Sequence, residues 1–140
     1  MEASTLPAPL PASFTYGVFP AACPSRTLLD HVTSKWGVLI LVSLSEGEQR
    51  WSELRRRAEG ISEKMLAQTL KTLERDGLVR RTAQPIIPPR VDYSLTDRGY
   101  ELSGHLIPLV GWAFTNAEEI INGGAPAGAD AVAGAGAQSK

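Results

Sequence analysis

In the segment Glu63–Asp76, Leu66, Leu70 and Leu73 recur at i, i+4 and i+7, with Met65 and Thr69 flanking the same side. Residues spaced this way share one face of a helix. Ser62 stands at the capping position before the segment and Gly77 closes it. Upstream, Cys23-Pro24 reads as a helix start with proline at the first helical position, and Leu28, Leu29 and Val32 supply one apolar face. Ser34 caps a second predicted helix whose interior, Trp36, Val38, Leu39, Ile40, Leu41, Val42 and Leu44, is apolar nearly all round. That composition belongs in a core. Glu46-Gly47-Glu48 ends this helix, Ser52 caps a third through Ala58, and Gly60 ends that one.

After Gly77 the period changes. Leu78–Thr82 and Arg90–Leu95 flank a proline-rich turn from Pro85 to Pro89, and Val91, Tyr93 and Leu95 alternate with polar residues. The pattern predicts a half-buried hairpin with a long, stiffened tip. Thr96 caps a last helix from Asp97 to Asn122, which Pro108 is expected to kink. The apolar residues of this helix, Trp112 and Phe114 among them, exceed what one small core needs. The expected fold is mainly α with a small β-hairpin wing (α+β), dimeric. Short helix, glycine-containing turn, longer helix and hairpin, in that order, make a winged helix-turn-helix.

In such a motif the polar face of the second helix reads a duplex groove. Here that face carries Ser62, Glu63, Lys64, Gln68, Lys71, Thr72 and Arg75. Gln pairs bidentately with adenine, Lys contacts guanine or phosphate, and Ser62 with the first helical amides holds a phosphate. Arg80, Arg81 and Arg90 belong to the wing, where Arg90 follows Pro88-Pro89 and reaches backbone or minor groove. Arg55, Arg56 and Arg57 lie on the preceding helix, which crosses the backbone; at least one is expected to meet phosphate. The candidate DNA-binding set is Arg55, Ser62, Lys64, Gln68, Lys71, Thr72, Arg75, Arg81 and Arg90.

Charge supports this placement. The 140-residue chain carries a net charge of -1, yet Arg50–Arg98 holds 11 Lys and Arg against 7 Asp and Glu, and the remainder 3 against 8. A basic middle segment is the local footprint a polyanion requires. Cys23 is the single cysteine, which excludes an intrachain disulfide. No stretch is long and apolar enough to span a membrane. Ala21-Ala22-Cys23 has the look of a lipoprotein cleavage site, but Glu2, the absence of an early basic residue and the prolines argue against a signal peptide. The expected location is cytoplasmic. Residues 1–13, with three prolines, and the Gly/Ala-rich residues 123–140 are expected to be disordered around a folded 14–122. His31 and His105 stand apart from any cysteine or carboxylate cluster and read as helix residues, so no metal and no cofactor are expected.

The segment from Cys23 to about Trp112 resembles the HxlR family, relatives of the MarR-type winged-helix regulators of bacteria. The matching pieces are Cys23-Pro24, Lys35-Trp36 with Leu39-Ile40-Leu41, Arg50-Trp51-Ser52-Glu53-Leu54, and Gly60-Ile61-Ser62 with Lys64-Met65-Leu66. Then follow Leu70 with Leu73-Glu74, Asp76-Gly77-Leu78-Val79, Pro88-Pro89-Arg90-Val91, Tyr93-Ser94-Leu95-Thr96 and Gly99. Trp51 stands where Phe is usual and Asp92 where Glu is usual. The resemblance implies a homodimer built from the first and last helices on a palindromic operator in double-stranded DNA. Phe14, Tyr16, Val18 and Phe19 either add to that interface or pack within one protomer. Some members respond to electrophiles or oxidants through a cysteine at the position of Cys23. At a helix start, with Arg26 near, this thiol is expected to favour thiolate; the bland alternative is a buried gap-filler.

An enzyme is the first rival reading, but the sequence holds no nucleophile–base pair, phosphate loop or metal set. A protein-binding winged helix is the second. A third, within the main class, is a regulator gated by a small metabolite between the dimer helices and the wing, without thiol sensing.

Overall fold

A computed structural model describes residues 23–123. The expectations for residues 1–22 and 124–140, including those for Phe14, Tyr16, Val18 and Phe19, lie outside the described residues. The elements run α1 (Pro24–Val32), α2 (Lys35–Leu44), β1 (Gln49–Arg50), α3 (Trp51–Arg57), α4 (Glu63–Arg75), β2 (Val79–Gln84), β3 (Arg90–Leu95) and α5 (Asp97–Asn122).

Local chemistry sets the helix boundaries. Ser34 Oγ accepts from the Gly37 amide at 3.1 Å, and Ser62 Oγ accepts from the Met65 amide at 3.0 Å. Each satisfies one of the amides that a helix start leaves without a partner. At the far end of α4, Gly77 takes φ +78°, its amide bonds Glu74 O at 3.0 Å, and the Leu78 amide bonds Leu73 O at 3.0 Å. This pair of bonds is a Schellman cap, and the positive φ suits glycine. Helix α3 begins two residues earlier than the Ser52 cap implies. Arg50 is extended at the N-cap, and its amide donates to Glu53 Oε1 at 2.8 Å. The cap is supplied from inside the helix because Arg50 already belongs to a strand.

The core joins α2, α4 and the root of the sheet. Ile40, Leu41 and Leu44 of α2 meet Leu66, Leu70 and Leu73 of α4, with Leu54, Ile61, Leu78, Val79, Tyr93, Leu95 and Leu106 closing the cluster. Helix α2 is sealed on one side rather than all round: Val38 and Val42 are half-buried and Leu39 is exposed. Ser103 of α5 ties that helix to α2 by donating to Leu41 O at 3.3 Å.

The wing has three strands rather than two, in the order β1-β3-β2, all antiparallel. Gln49 pairs with Tyr93 and Arg50 with Asp92, while β2 pairs from Val79↔Leu95 to Gln84↔Arg90. Buried Gln49 fixes β1: its Nε2 donates to Ser43 O, and Ser43 Oγ donates to Oε1 at 3.3 Å. With β1 on its outer side, β3 becomes the central strand. Asp92, which alternation alone places on an outward polar face, is therefore only 1% exposed. Helix α5 runs unbroken through Pro108.

Candidate nucleic-acid interface

The two sides of α4 are chemically opposite. Leu66, Leu70 and Leu73 are buried, while Lys64, Gln68, Lys71 and Arg75 are exposed and Thr72 is half-buried. At i, i+4, i+7, i+8 and i+11 these polar residues form one continuous strip. Among the described residues, no protein element covers it and no ion pair involves Lys64, Lys71 or Arg75. The strip thus presents long cations and one amide able to bond in two places, chemistry suited to phosphate contact and adenine readout. Ser62 is exposed at the start of this strip, its oxygen engaged in the cap.

Electrostatics near the start of α4 depend on pairing with α3. Arg55 Nη1 lies 3.0 Å from Glu63 Oε2. A carboxylate in the first turn of α4 would repel phosphate, and Arg55 neutralises it. The pair is well exposed, so its own contribution to stability is about 0–1 kcal/mol. Arg57 makes a two-pronged contact with Glu46 at 2.8 and 2.9 Å, which lowers the Glu46 pKa and raises that of Arg57. Arg56 is the arginine of this trio that pairs with no carboxylate among the described residues. The candidate set took Arg55 alone from this trio, the arginine that pairs with Glu63.

Register sorts the wing arginines. Opposed residues share a face, so Arg50, Arg80 and Arg90 lie on the face of Asp92, and Arg81 lies with Tyr93 on the other. Arg80 thus shares a face with Arg90, whereas Arg81, the member of the candidate set, is exposed on the opposite face. Asp92 anchors this cluster. Its carboxylate accepts from Arg90 Nε at 3.0 Å and from Gln84 Nε2. Burial pushes the Asp92 pKa up, but the bonds from Arg90 and Gln84 and the charges of Arg90 and Arg50 outweigh it, leaving the carboxyl below its usual value. Although its Nε bonds Asp92, the Arg90 side chain remains 43% exposed.

The profile of the HxlR-like helix-turn-helix family matches residues 31–120. The chain belongs to that family. It is 52% identical to the uncharacterized HTH-type transcriptional regulator YtfH of Escherichia coli (strain K12) over 104 residues, 74% of this chain and 82% of the relative. The solved ytfH protein of Salmonella typhimurium is similar at 49% identity and a TM-score of 0.71, covering 74% of this chain and 93% of that one. The redox regulator HypR in its oxidized form is similar at 34% identity and a TM-score of 0.63, covering 67% and 97%. This HxlR-like chain is a transcriptional regulator with a helix-turn-helix DNA-binding domain and a winged fold. Its relatives carry the names of regulators, not of enzymes.

Two further features of this HxlR-like chain lie on α1 and α5, outside α3, α4 and the wing. Half-exposed Cys23 is the N-cap of α1. The Ser25 hydroxyl, then the amides of Ser25 and Arg26, hold its thiol below the usual cysteine value. Arg26 acts here through its amide, whereas the sequence pointed to its guanidinium. The other feature is a set of exposed apolar residues: Leu28 and Leu29 on α1, and on α5 Trp112 and a stripe of Ile107, Phe114 and Ile121, with Phe114 82% exposed. Among the described residues no cluster of His, Cys, Asp and Glu fits a metal ion, and no helix is long and apolar enough to cross a membrane.

Proposed function

We propose that the protein acts as a homodimer on a palindromic operator in double-stranded DNA, with Lys64, Gln68, Lys71, Thr72 and Arg75 in the groove and Arg80 and Arg90 at the flanking backbone. The observation that carries this reading is the uncovered polar strip of α4 above a sealed leucine stripe. The exposed apolar residues of α1 and α5 support two-fold pairing, because large apolar side chains such as Ile107, Phe114 and Ile121, which share one stripe of α5, are unfavourable in water and a C2 dimer is the common way to bury them. Arg55 and Ser62 serve the start of α4, and Arg81 a more distant phosphate. The test is footprinting on the DNA upstream of the chain's own coding sequence, followed by titration across salt. Phosphate contacts release counterions, so affinity falls steeply as salt rises. A flat salt response, with Gln68→Ala and Lys71→Ala both inert, would leave a protein-binding winged helix as the better reading.

A second reading concerns control: a thiol-reactive electrophile or oxidant acts at Cys23. The accessible, acidified thiol at the N-cap of α1 favours it, as does similarity to a protein named a redox regulator. Modification there displaces α1 and with it the spacing of the two α4 helices. Diamide or a quinone is expected to alter operator binding by the wild type and not by Cys23→Ser; equal responses exclude Cys23.

A further inference from the structure

Among the described residues, helix α1 packs chiefly against α2 and α4. Val32 is its one fully buried residue, while Leu28 and Leu29 point outward. At its last turn, His31 Nδ1 lies 2.8 Å from Asp76 Oδ2, across 45 residues of sequence. Asp76 is the C-cap of α4, and its backbone amide is already spent on Thr72 O and Glu74 O. Its side chain is therefore available to His31. The pair is shielded, with side-chain exposures of 32% and 17%, so water competes weakly for it. The backbone of His31 is also fixed: Ser34 Oγ donates to His31 O at 3.0 Å, and a Cβ on Gly37 would stand 2.4 Å from the same oxygen. Position 37 must be glycine for α2 to start this close to the end of α1.

We infer that His31 and Asp76 are positioning residues for operator recognition: their pair locks α1 to the end of α4 and so sets the distance between the two α4 helices of a dimer. Neither residue lies on the groove-facing strip, so their effect reaches DNA through geometry. The inference rests on the homodimer reading above. Without the pair, Val32 and the turn into α2 are left to hold α1 at one end, and an α1 that pivots about that end turns the dimer face relative to α4. A rigid dimer tolerates one separation of half-sites, since each α4 must enter the major groove one helical turn from its partner. A loosened dimer accepts several, and binds the best of them less tightly because orientation must be fixed on binding.

The experiment uses the full chain and duplexes that the wild-type protein selects from a random-sequence pool. Affinity is measured for the selected duplex, for versions with the centre lengthened or shortened by one base pair, and for a single half-site. His31→Ala is expected to lower affinity for the native spacing by roughly threefold to tenfold. It is expected to leave single half-site binding unchanged and to reduce the preference for native over altered spacing. Asp76→Ala does the same, and the double variant is no worse than either alone. The salt slope stays at the wild-type value, because no phosphate contact is removed. A wild-type spacing preference in His31→Ala, additive losses in the double variant, or a reduced salt slope would each overturn the inference. If His31→Ala does not fold, Asp76→Asn carries the same measurement, since it keeps the shape of the C-cap and removes the charge. Selected duplexes that lack an inverted repeat count against the homodimer reading itself, a separate failure.

Discussion

Gly99→Ala is the substitution on which the structure makes its sharpest demand. Gly99 lies buried in the first turn of α5, where that helix crosses the root of β2. A Cβ there would stand 2.2 Å from Leu78 O and 3.1 Å from Leu95 Cδ2. The carbonyl cannot swing aside, because Leu78 O also accepts from the Thr96 amide at 3.1 Å. Thr96 Oγ1 in turn donates to Gly77 O at 2.6 Å and accepts from the Gly99 amide at 3.1 Å. Overpacking of this kind costs typically 1–3 kcal/mol, and a rigid backbone oxygen puts it near the upper end, about 3 kcal/mol. Alanine returns about 1 kcal/mol of helix propensity over glycine. The net loss is about 2 kcal/mol, or roughly 10 °C in Tm for a domain of this size. Gly104, farther along the same helix, meets nothing within 4 Å of its Cβ. Gly104→Ala is therefore expected to be neutral to stabilising, by up to about 1 kcal/mol. Thermal unfolding followed by circular dichroism, at one fixed protomer concentration, compares the two variants with the wild type. Equal Tm values for Gly99→Ala and the wild type would refute the claim that α5 and the wing meet in this contact.

Leu66→Ala, at a fully buried position under α4, is expected to lose about 2–5 kcal/mol of stability in denaturant titrations. Lys71→Ala is expected to weaken binding to all duplexes alike and to reduce the log–log salt slope by about 0.9 per phosphate contact removed. Gln68→Ala is instead expected to relax discrimination at one base pair, by about 1–3 kcal/mol, with the slope unchanged; competition with single-substituted operators checks it. Asp92 governs an acid response. Its folded pKa lies below the unfolded value of about 4, so its contribution is complete above pH 4 and fades as pH falls through the lower folded value. Acid titration of the Arg90 Nε–H resonance is expected to follow this loss, and Asp92→Asn to abolish it.

What could be read from the sequence was what is encoded within a turn or two of the chain. Leu66, Leu70 and Leu73, bracketed by Ser62 and Gly77, define α4 without any distant contact. The polar strip follows from the same periodicity, because the side away from a leucine stripe faces outward unless another element covers it. The shortfalls share a different origin. Two-residue β1 has no pattern of its own and exists because Gln49 bonds Ser43 and pairs with Tyr93. Alternation along β3 tells one face from the other but not centre from edge, so it gave no sign that Asp92 is buried. The Arg55–Glu63 pair spans a turn and the His31–Asp76 pair nearly a third of the chain. Charge type and helical period carry no trace of either. Arg80 and Arg81 are adjacent and identical in the sequence, and the strand register alone separates them.

Ser62 at one end of α4 and the Gly77 turn at the other have a thermodynamic consequence. Both ends of the helix find hydrogen-bond partners inside the chain, so the helix is complete before any operator arrives. Association then needs no segment of α4 to order, and none of the interaction energy is diverted to folding it. The calorimetric signature follows: a heat-capacity change matching the docking of preformed surfaces, smaller than that of basic segments which become helical on the duplex.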